Sequence, residues 1–175
     1  QSNGWIYAES PPEGGTAMTI YLPPAAPEAP ATTSPSSPAD PPAGRARVLV
    51  LDDCDDVSTV TARMLSQQGY HVSHANSAES AHRMLSASVQ PFDLLVADVS
   101  MSGDGVRDIE KSLRRAQAER FPHRPLRVLY MSGYVLDTLV AQGSIAPDAA
   151  FLPKPFTLEQ LAEAVSAALA PSPHI

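Results

Sequence analysis

Short apolar runs alternate with amphipathic stretches from Arg45 to about residue 170, and the alternation repeats five times. The apolar runs predict strands at residues 47–51, 70–75, 93–97, 127–131 and 149–152. The amphipathic stretches predict helices at residues 55–68, 77–88, 105–119, 135–142 and 158–169. Strands that alternate with helices in this way are typical of a parallel sheet with crossover helices. The pattern therefore predicts an α/β, doubly wound (βα)5 fold, in which functional groups gather at the carboxyl ends of the strands.

The segment before this region has two different parts. Residues 4–9 and 16–22 form two short extended segments rich in apolar side chains, with a Pro/Gly-rich turn between them, which predicts a β-hairpin. Residues 24–44 contain seven prolines and six alanines but no aromatic or large aliphatic side chain. Such a composition builds no core, and either a semi-stiff linker or a disordered tail fits it. The predicted organisation is thus hairpin 1–23, linker 24–44, α/β domain 45–170 and tail 171–175.

The net charge and the cysteine content exclude several classes of function. The chain has a net charge of −7, and its first 44 residues contain no Lys or Arg. An acidic chain is a poor match for a nucleic-acid backbone, and a lone cysteine excludes a disulfide framework. No apolar run is long enough to span a bilayer, and no signal peptide is evident. We therefore expect a cytoplasmic protein with no nucleic-acid partner and no direct membrane contact in this part.

Polar side chains follow the predicted strands at one edge of the sheet. They are Asp52 and Asp53 after the first strand, Asp98 after the third, Ser132 after the fourth and Lys154 after the fifth. Each alone could be a helix cap, a turn residue or a solvated charge. Together, three carboxylates at one edge repel one another unless a cation neutralises them. Oxygen ligands without His or Cys favour Mg²⁺, and the direct ligands we expect are Asp53 and Asp98.

A carboxylate beside Mg²⁺, a lysine and a hydroxyl can accept a phosphoryl group, because the cations neutralise the transferring oxygens while the carboxylate attacks. Asp98 is the candidate nucleophile. The segments that carry these residues, VLVLDDCDDV, DLLVADVSM, VLYMSGY and FLPKPF, resemble the motifs of response-regulator receiver domains in order and spacing. The resemblance covers roughly residues 45–170 and implies a flavodoxin-like sheet of strand order 2-1-3-4-5.

The resemblance also implies specific roles. Asp52 and Asp53 form the acidic pair that holds Mg²⁺ together with Asp98 and the backbone carbonyl of Ser100. Asp98 accepts phosphate from a phosphohistidine, and Ser132 and Lys154 bind the phosphoryl oxygens.

Two further roles concern conformation. Phe151 takes the place of the aromatic switch residue, which turns inward with Ser132 and reshapes the surface of the fourth helix, fifth strand and fifth helix. The Lys154–Pro155 peptide is expected to be cis.

Three features depart from the usual motifs. Ser102 stands where the loop after the acceptor commonly has proline, and the span from Asp98 to Gly105 is one residue shorter than usual. Cys54 replaces a common glutamate, and we expect a reduced, packed thiol there. The shortened loop and Ser102 leave open a second hypothesis, a receiver-like interaction module that works without phosphorylation. A small-molecule phosphatase is disfavoured because Ser100, not a carboxylate, stands two residues after Asp98.

Residues 1–23 resemble the closing hairpin of a histidine-kinase ATP-binding domain. None of the five histidines is followed by an acidic residue, so this chain contains no phosphoacceptor-histidine helix and no complete kinase core. The order of the segments implies the C-terminal part of a hybrid sensor histidine kinase. Its expected partners are the phosphohistidine of its own or a cognate kinase and a histidine phosphotransfer protein.

Overall fold

A computed structural model describes residues 5–9, 15–21, 46–101 and 105–170. These residues fall into two compact units, residues 5–21 belonging to the first and residues 46–170 to the second. The predicted linker 24–44, the tail 171–175 and the loop position Ser102 lie outside the described residues.

The first unit is a β-hairpin, as the two extended segments and the turn residues between them predict. Strands β1 (Trp5–Glu9) and β2 (Ala17–Tyr21) pair antiparallel, with Tyr7 opposite Thr19. Gly15 just before β2 has φ 92°, a backbone conformation that glycine adopts without steric cost. The side chains of Tyr7, Met18 and Tyr21 are exposed. A hairpin alone is marginally stable in water, so its stability depends on what covers these side chains.

The second unit is built on a parallel sheet of five strands. The strands are β3 (Arg47–Leu51), β4 (His71–Ala75), β5 (Leu94–Asp98), β6 (Arg127–Ser132) and β7 (Ala150–Pro153). Their order across the sheet is β4-β3-β5-β6-β7, which is the expected order 2-1-3-4-5. All five residues of β5 are buried, as befits the middle strand of a sheet covered on both faces. The predicted fold class is confirmed.

Five helices cover the two faces of this sheet. They are α1 (Asp55–Gln67), α2 (Ala78–Ala87), α3 (Val106–Arg120), α4 (Leu136–Ala141) and α5 (Leu158–Leu169). Buried residues of α2, α3 and α4 pack with Leu49, Leu95 and Val128 on one face. Those of α1 and α5 pack with alternate residues of the same strands on the other. Since neighbouring strand residues face opposite layers, each strand contributes to both cores.

The helix ends follow the local sequence. Thr157 and Gln160 form a reciprocal capping box at the start of α5. Gly143 has φ 71° just after α4 and donates its N–H to the Val140 carbonyl. The helix α4 has six residues instead of the eight predicted. Val135 is extended (ψ 146°) and precedes the helix as its N-cap, and Gln142 follows it as its C-cap. Among the described residues, no helix combines the length and the apolar character needed to cross a membrane.

Candidate functional site

The polar residues identified from the sequence lie at the carboxyl edge of the sheet. Asp52 and Asp53 directly follow β3, Asp98 ends β5, Ser132 ends β6 and Lys154 directly follows β7. Parallel strands place these ends on the same edge, so residues up to 102 positions apart in sequence meet there.

Three carboxylates form a tight cluster at this edge. One carboxylate oxygen from each of Asp52, Asp53 and Asp98 lies within 4.8 Å of the others. Asp52 and Asp98 are 1% and 5% exposed, whereas Asp53 is exposed to solvent. The N–H of Cys54 donates to Asp52 Oδ1 at 2.9 Å and fixes that carboxylate. Two buried carboxylates and one solvent-facing carboxylate thus form a site open on one side.

Lys154 supplies the positive charge next to this cluster. Its Nζ donates a hydrogen bond of 2.7 Å to Asp52 Oδ2 and lies 3.2 Å from Asp98 Oδ1. The second contact is an ion pair, and Asp98 Oδ1 accepts no hydrogen bond of regular geometry within the described part of the chain. The Lys154–Pro155 peptide that follows is cis.

Burial and charge shift the pKa values of this pair. Burial raises the pKa of Asp98 above its ordinary value, Lys154 opposes the shift, and the charge of Asp52 adds to it. The backbone N–H of Ser100 also hydrogen bonds to Asp98 and favours its charged form. Burial acts to lower the pKa of Lys154, but the hydrogen bond to Asp52 and the charges of both aspartates outweigh it and raise that pKa. Lys154 is therefore positively charged at neutral pH.

The charge balance of the cluster suits a divalent cation. Three carboxylates and one ammonium leave two negative charges, and the buried Asp98 Oδ1 still lacks a hydrogen-bond donor. A hard divalent ion with oxygen ligands meets both requirements. Asp52, Asp53 and Asp98 could hold such an ion.

Ser132 lies on the neighbouring strand, one residue beyond Met131, the Cα partner of Asp98. Its side chain is fully buried, and its Oγ accepts the Tyr134 N–H at 3.1 Å. Its carbonyl accepts the Lys154 N–H at 2.7 Å and ties the end of β6 to the segment after β7. Tyr134 was not identified as a site residue from the sequence. The Ser-Gly-Tyr turn is a signal that could have identified it, because a serine often accepts the N–H two residues on.

Phe151 lies farther from the cluster, in the middle of the edge strand β7. Its Cα partner is Tyr130 on β6, and its half-buried side chain packs against the core beneath α2, α3 and α4.

Cys54 differs from expectation, since it is exposed and not packed. The reason is its place as the N-cap of α1, where the chain leaves the sheet edge toward solvent.

Known proteins resemble this chain in sequence and in fold. The family model of the response regulator receiver domain matches residues 48–166. Sensor kinase CckA of Brucella abortus is 31% identical over 172 residues, which is 94% of this chain and 18% of CckA. The response regulator receiver protein CpdR of the same organism is 31% identical over 116 residues, covering 66% of this chain and 89% of CpdR.

A solved structure supports the same assignment. The crystal structure of the receiver domain from hybrid histidine kinase CckA aligns with a TM-score of 0.55 and 31% identity, over 71% of this chain and 99% of that domain. The chain thus spans less than a fifth of the sensor kinase it matches. From the family match, the shared fold and these relatives, the chain belongs to the response regulator receiver domain family of two-component signalling.

Proposed function

We propose that this receiver accepts a phosphoryl group on Asp98 from a phosphohistidine, in a reaction that depends on Mg²⁺. The observation that carries the proposal is the cluster of Asp52, Asp53 and Asp98 within 4.8 Å, with Lys154 beside its two buried members. Receivers in two-component systems act with histidine kinases or phosphotransfer proteins, and a phosphoryl acceptor is typical of the family.

The chemistry is an in-line displacement. An oxygen of Asp98 attacks phosphorus, a P–O bond forms, and the P–N bond of the phosphohistidine breaks. The imidazole leaves with the electron pair and takes up a proton from solvent. Lys154, 3.2 Å from Asp98 Oδ1, neutralises the phosphoryl oxygens as they arrive. Asp98 itself is ionised when it attacks, so no general base is needed.

The metal would be held by the carboxylates of Asp52, Asp53 and Asp98 and by the backbone carbonyl of Ser100. Bound Mg²⁺ would supply the charge neutralisation that three carboxylates and one lysine leave incomplete. The solvent-facing position of Asp53 leaves one side of the site open to an incoming phosphohistidine.

Phosphorylation would be transmitted through Ser132 and Phe151. The Ser132 hydroxyl now accepts the Tyr134 N–H, and turning toward a phosphoryl oxygen would release that bond and the loop before α4. Phe151 would then turn inward and reshape the surface of α4, β7 and α5.

The test is phosphorylation of the 175-residue chain by acetyl phosphate with Mg²⁺, followed by mass spectrometry. We expect base-labile incorporation in the wild type, none in Asp98→Asn and none with chelator. Asp137→Asn serves as the matched control, because it removes an exposed carboxylate on α4. Wild-type-like incorporation in Asp98→Asn would refute the assignment of Asp98. Absence of both metal binding and incorporation in the wild type would favour the phosphorylation-independent interaction module.

We further propose that the chain is the C-terminal part of a hybrid histidine kinase. The alignment with CckA supports this, since it covers 94% of the chain and so extends through the hairpin and linker region. Residues 24–44 would then tether the receiver near the kinase's phosphohistidine and raise its effective concentration. A cytoplasmic location follows, because the kinase draws on ATP. Phosphate would pass onward to a histidine phosphotransfer protein.

The longer protein provides the test. After incubation with labelled ATP, we expect label on Asp98 that depends on the kinase's own histidine. Deleting residues 24–44 should slow this transfer but leave the reaction of the receiver with acetyl phosphate unchanged. Unchanged transfer after the deletion would refute the tether.

A further inference from the structure

Tyr130 is a buried aromatic residue between the strand of the candidate phosphoacceptor and the strand of the candidate switch residue. It lies in β6, is 4% exposed and belongs to the core on the face that carries α2, α3 and α4. Its Cα partner on β5 is Ala97, which directly precedes Asp98. Its Cα partner on β7 is Phe151. Tyr130 is therefore adjacent to both parts of the proposed switch.

Tyr130 and Phe151 lie side by side on one face of the sheet. Cα partners on neighbouring strands are about 5 Å apart and direct their side chains to the same face. In agreement, the Phe151 side chain packs against the core that contains Tyr130. Ser132 follows Tyr130 by two residues, so its side chain points to that face too. A Phe151 side chain that turns inward with Ser132 therefore moves beside the Tyr130 ring.

The hydroxyl of Tyr130 joins β6 to α3. It donates a hydrogen bond to Glu110 Oε2, and Glu110 Oε1 forms an ion pair of 2.6 Å with Arg114 Nε. Burial and this hydrogen bond raise the pKa of Tyr130, so the hydroxyl keeps its proton and remains the donor at neutral pH. Among the described residues, no other side-chain hydrogen bond joins a strand of the sheet to α2, α3 or α4.

This chain of contacts runs from the core to the surface. Tyr130 is buried, the Glu110 side chain is 17% exposed and the Arg114 side chain is 45% exposed. Each oxygen of the Glu110 carboxylate has its own partner, which holds the carboxylate in one orientation. A displacement of the Tyr130 hydroxyl therefore changes the positions of Glu110 and Arg114 at the surface of α3.

The structure leaves space for such a displacement. A cavity of about 740 Å³ is lined by Tyr130, Glu110 and Arg114, together with Ala150, which precedes Phe151. Side chains in a fully packed core move only when their neighbours move. Tyr130 has packed neighbours within the core but open space toward the cavity. Its side chain thus has one direction in which it can move.

We propose that Tyr130 is a positioning residue that couples the Phe151 switch to α3. When Phe151 turns inward, it displaces the Tyr130 ring toward the cavity, and the hydrogen bond to Glu110 moves the middle of α3 with it. The coupling rests on the proposed phosphorylation of Asp98 and extends it, because the surface of α3 around Arg114 then changes together with that of α4, β7 and α5. Packed side chains and hydrogen bonds can carry such a coupling between sites.

The test is NMR spectroscopy of the ¹⁵N-labelled 175-residue chain with Mg²⁺ and beryllofluoride, which mimics a bound phosphoryl group and is not transferred. In the wild type, we expect the amide resonances of Ser132, Phe151, Leu113 and Arg114 to shift together as beryllofluoride is added. In Tyr130→Phe, the shift at Ser132 should persist and report that the probe is bound. The shifts at Leu113 and Arg114 should fall by at least about half, because the hydrogen bond to α3 is missing.

Tyr70→Phe is the matched control. Tyr70 is also buried and burial also raises its pKa, but it belongs to the core on the face that carries α1 and α5. This variant should show the wild-type shifts at Ser132 and Leu113. An equal reduction of the Leu113 shift in Tyr70→Phe and Tyr130→Phe would overturn the proposal, because the loss of either buried hydroxyl would then have the same effect.

Two variants of the acceptor separate the coupling from a merely structural role. Glu110→Gln retains an oxygen that can accept the Tyr130 hydroxyl, whereas Glu110→Ala removes the acceptor. The Leu113 shift should be retained in Glu110→Gln and should fall in Glu110→Ala as far as in Tyr130→Phe. Equal reduction in both Glu110 variants would mean that the ion pair with Arg114 carries the effect, and would overturn the role of Tyr130.

The wild-type spectra distinguish this proposal from the proposed phosphoacceptor. No shift at Ser132 would refute phosphoryl binding at the carboxylate cluster, and the coupling with it. A shift at Ser132 and Phe151 with none at Leu113 would refute the coupling alone, as would a Leu113 shift that persists in full in Tyr130→Phe.

Discussion

The polar groups at the two ends of the five-stranded sheet differ in how far hydrogen bonds and opposite charges compensate them. At the amino ends of β5 and β6, the amide of Gln117 accepts the Phe92 N–H and donates to the carbonyls of Phe92 and Arg124, at 2.8–3.0 Å. Asp93 nearby accepts the Arg47 N–H at 2.9 Å and pairs with the Arg124 guanidinium at 2.5 Å. Polar groups at this end are satisfied by the fold itself.

At the carboxyl ends, three carboxylates face one ammonium, and Asp98 Oδ1 accepts no hydrogen bond from the described residues. Burying a charge without full compensation costs free energy of folding. The described residues bear this cost at the edge where we propose that Asp98 accepts a phosphoryl group. Polar groups at the amino end serve stability, whereas those at the carboxyl end keep an excess of negative charge that the proposed cation would neutralise.

We expect the largest change in stability at the amino ends of the strands, where the polar groups are fully hydrogen bonded. Gln117→Leu would leave the Phe92 N–H and two carbonyls without their partner, so we expect the free energy of unfolding to fall by about 3 kcal/mol. Urea denaturation measures the change. Gln67→Leu, at the exposed end of α1, is the matched control and should change stability by less than about 0.5 kcal/mol. A decrease of less than 1 kcal/mol in the free energy of unfolding of Gln117→Leu would show that the hydrogen bonds of this amide contribute little to stability.

Mg²⁺ should stabilise the folded chain through the carboxylate cluster at the carboxyl ends of the strands. Mg²⁺ at ten times its dissociation constant should raise the free energy of unfolding by about 1.4 kcal/mol, because it binds the folded chain alone. Asp53→Asn should abolish most of this gain, while Asp56→Asn, an exposed carboxylate three residues on, should retain it. The measurement is thermal unfolding with and without Mg²⁺. Equal stabilisation of both variants would place the ion elsewhere.

Replacing an aspartate by asparagine should change the stability in opposite directions at the two ends of the sheet. In the absence of divalent cation, Asp98→Asn should stabilise the chain by about 1 kcal/mol, because it removes a buried charge from a cluster with excess negative charge. Asp93→Asn should destabilise it by about 1 kcal/mol, because it weakens the ion pair with Arg124. Urea denaturation compares the two. Destabilisation by both would mean that Lys154 compensates the cluster fully.

Periodicity alone predicts most of the fold. The predicted strand 47–51 and helix 158–169 agree with the structure to the residue, because buried strands and a capped amphipathic helix leave strong local signals. The helix α4 was predicted too long, since Val135 continues the apolar pattern although its backbone is already extended. Which residues end the strands is also readable from the sequence, and this locates the candidate site.

Side-chain partnerships are less accessible to sequence reasoning. Lys154 reaches Asp52 across 102 residues, a contact that only the assembled sheet creates. Gln117 was overlooked, although it continues the stripe of Val106, Ile109 and Leu113 on α3, and a polar residue on a buried stripe signals a structural hydrogen bond. The exposure of Cys54 depends on how the chain leaves the sheet, which no local pattern records.

We expect the smallest change in stability at Tyr130. Its hydroxyl donates a hydrogen bond to Glu110 but can still lose its proton at high pH. Burial, the hydrogen bond to Glu110 and the charge of Glu110 raise the pKa of Tyr130 well above its ordinary value of 10.0. Above pH 10 the unfolded chain therefore loses a proton that the folded chain keeps, so stability falls as pH rises through this range.

Tyr130→Phe removes this pH-dependent loss of stability. At neutral pH the variant should lose less than about 1 kcal/mol, the net value of one hydrogen bond, and the difference from the wild type should shrink and then reverse as pH rises above 10. Tyr70, whose pKa burial also raises, is present in both proteins and cancels from the comparison. Urea denaturation across this range gives the two curves. Parallel curves would show that Tyr130 ionises as easily in the folded as in the unfolded chain.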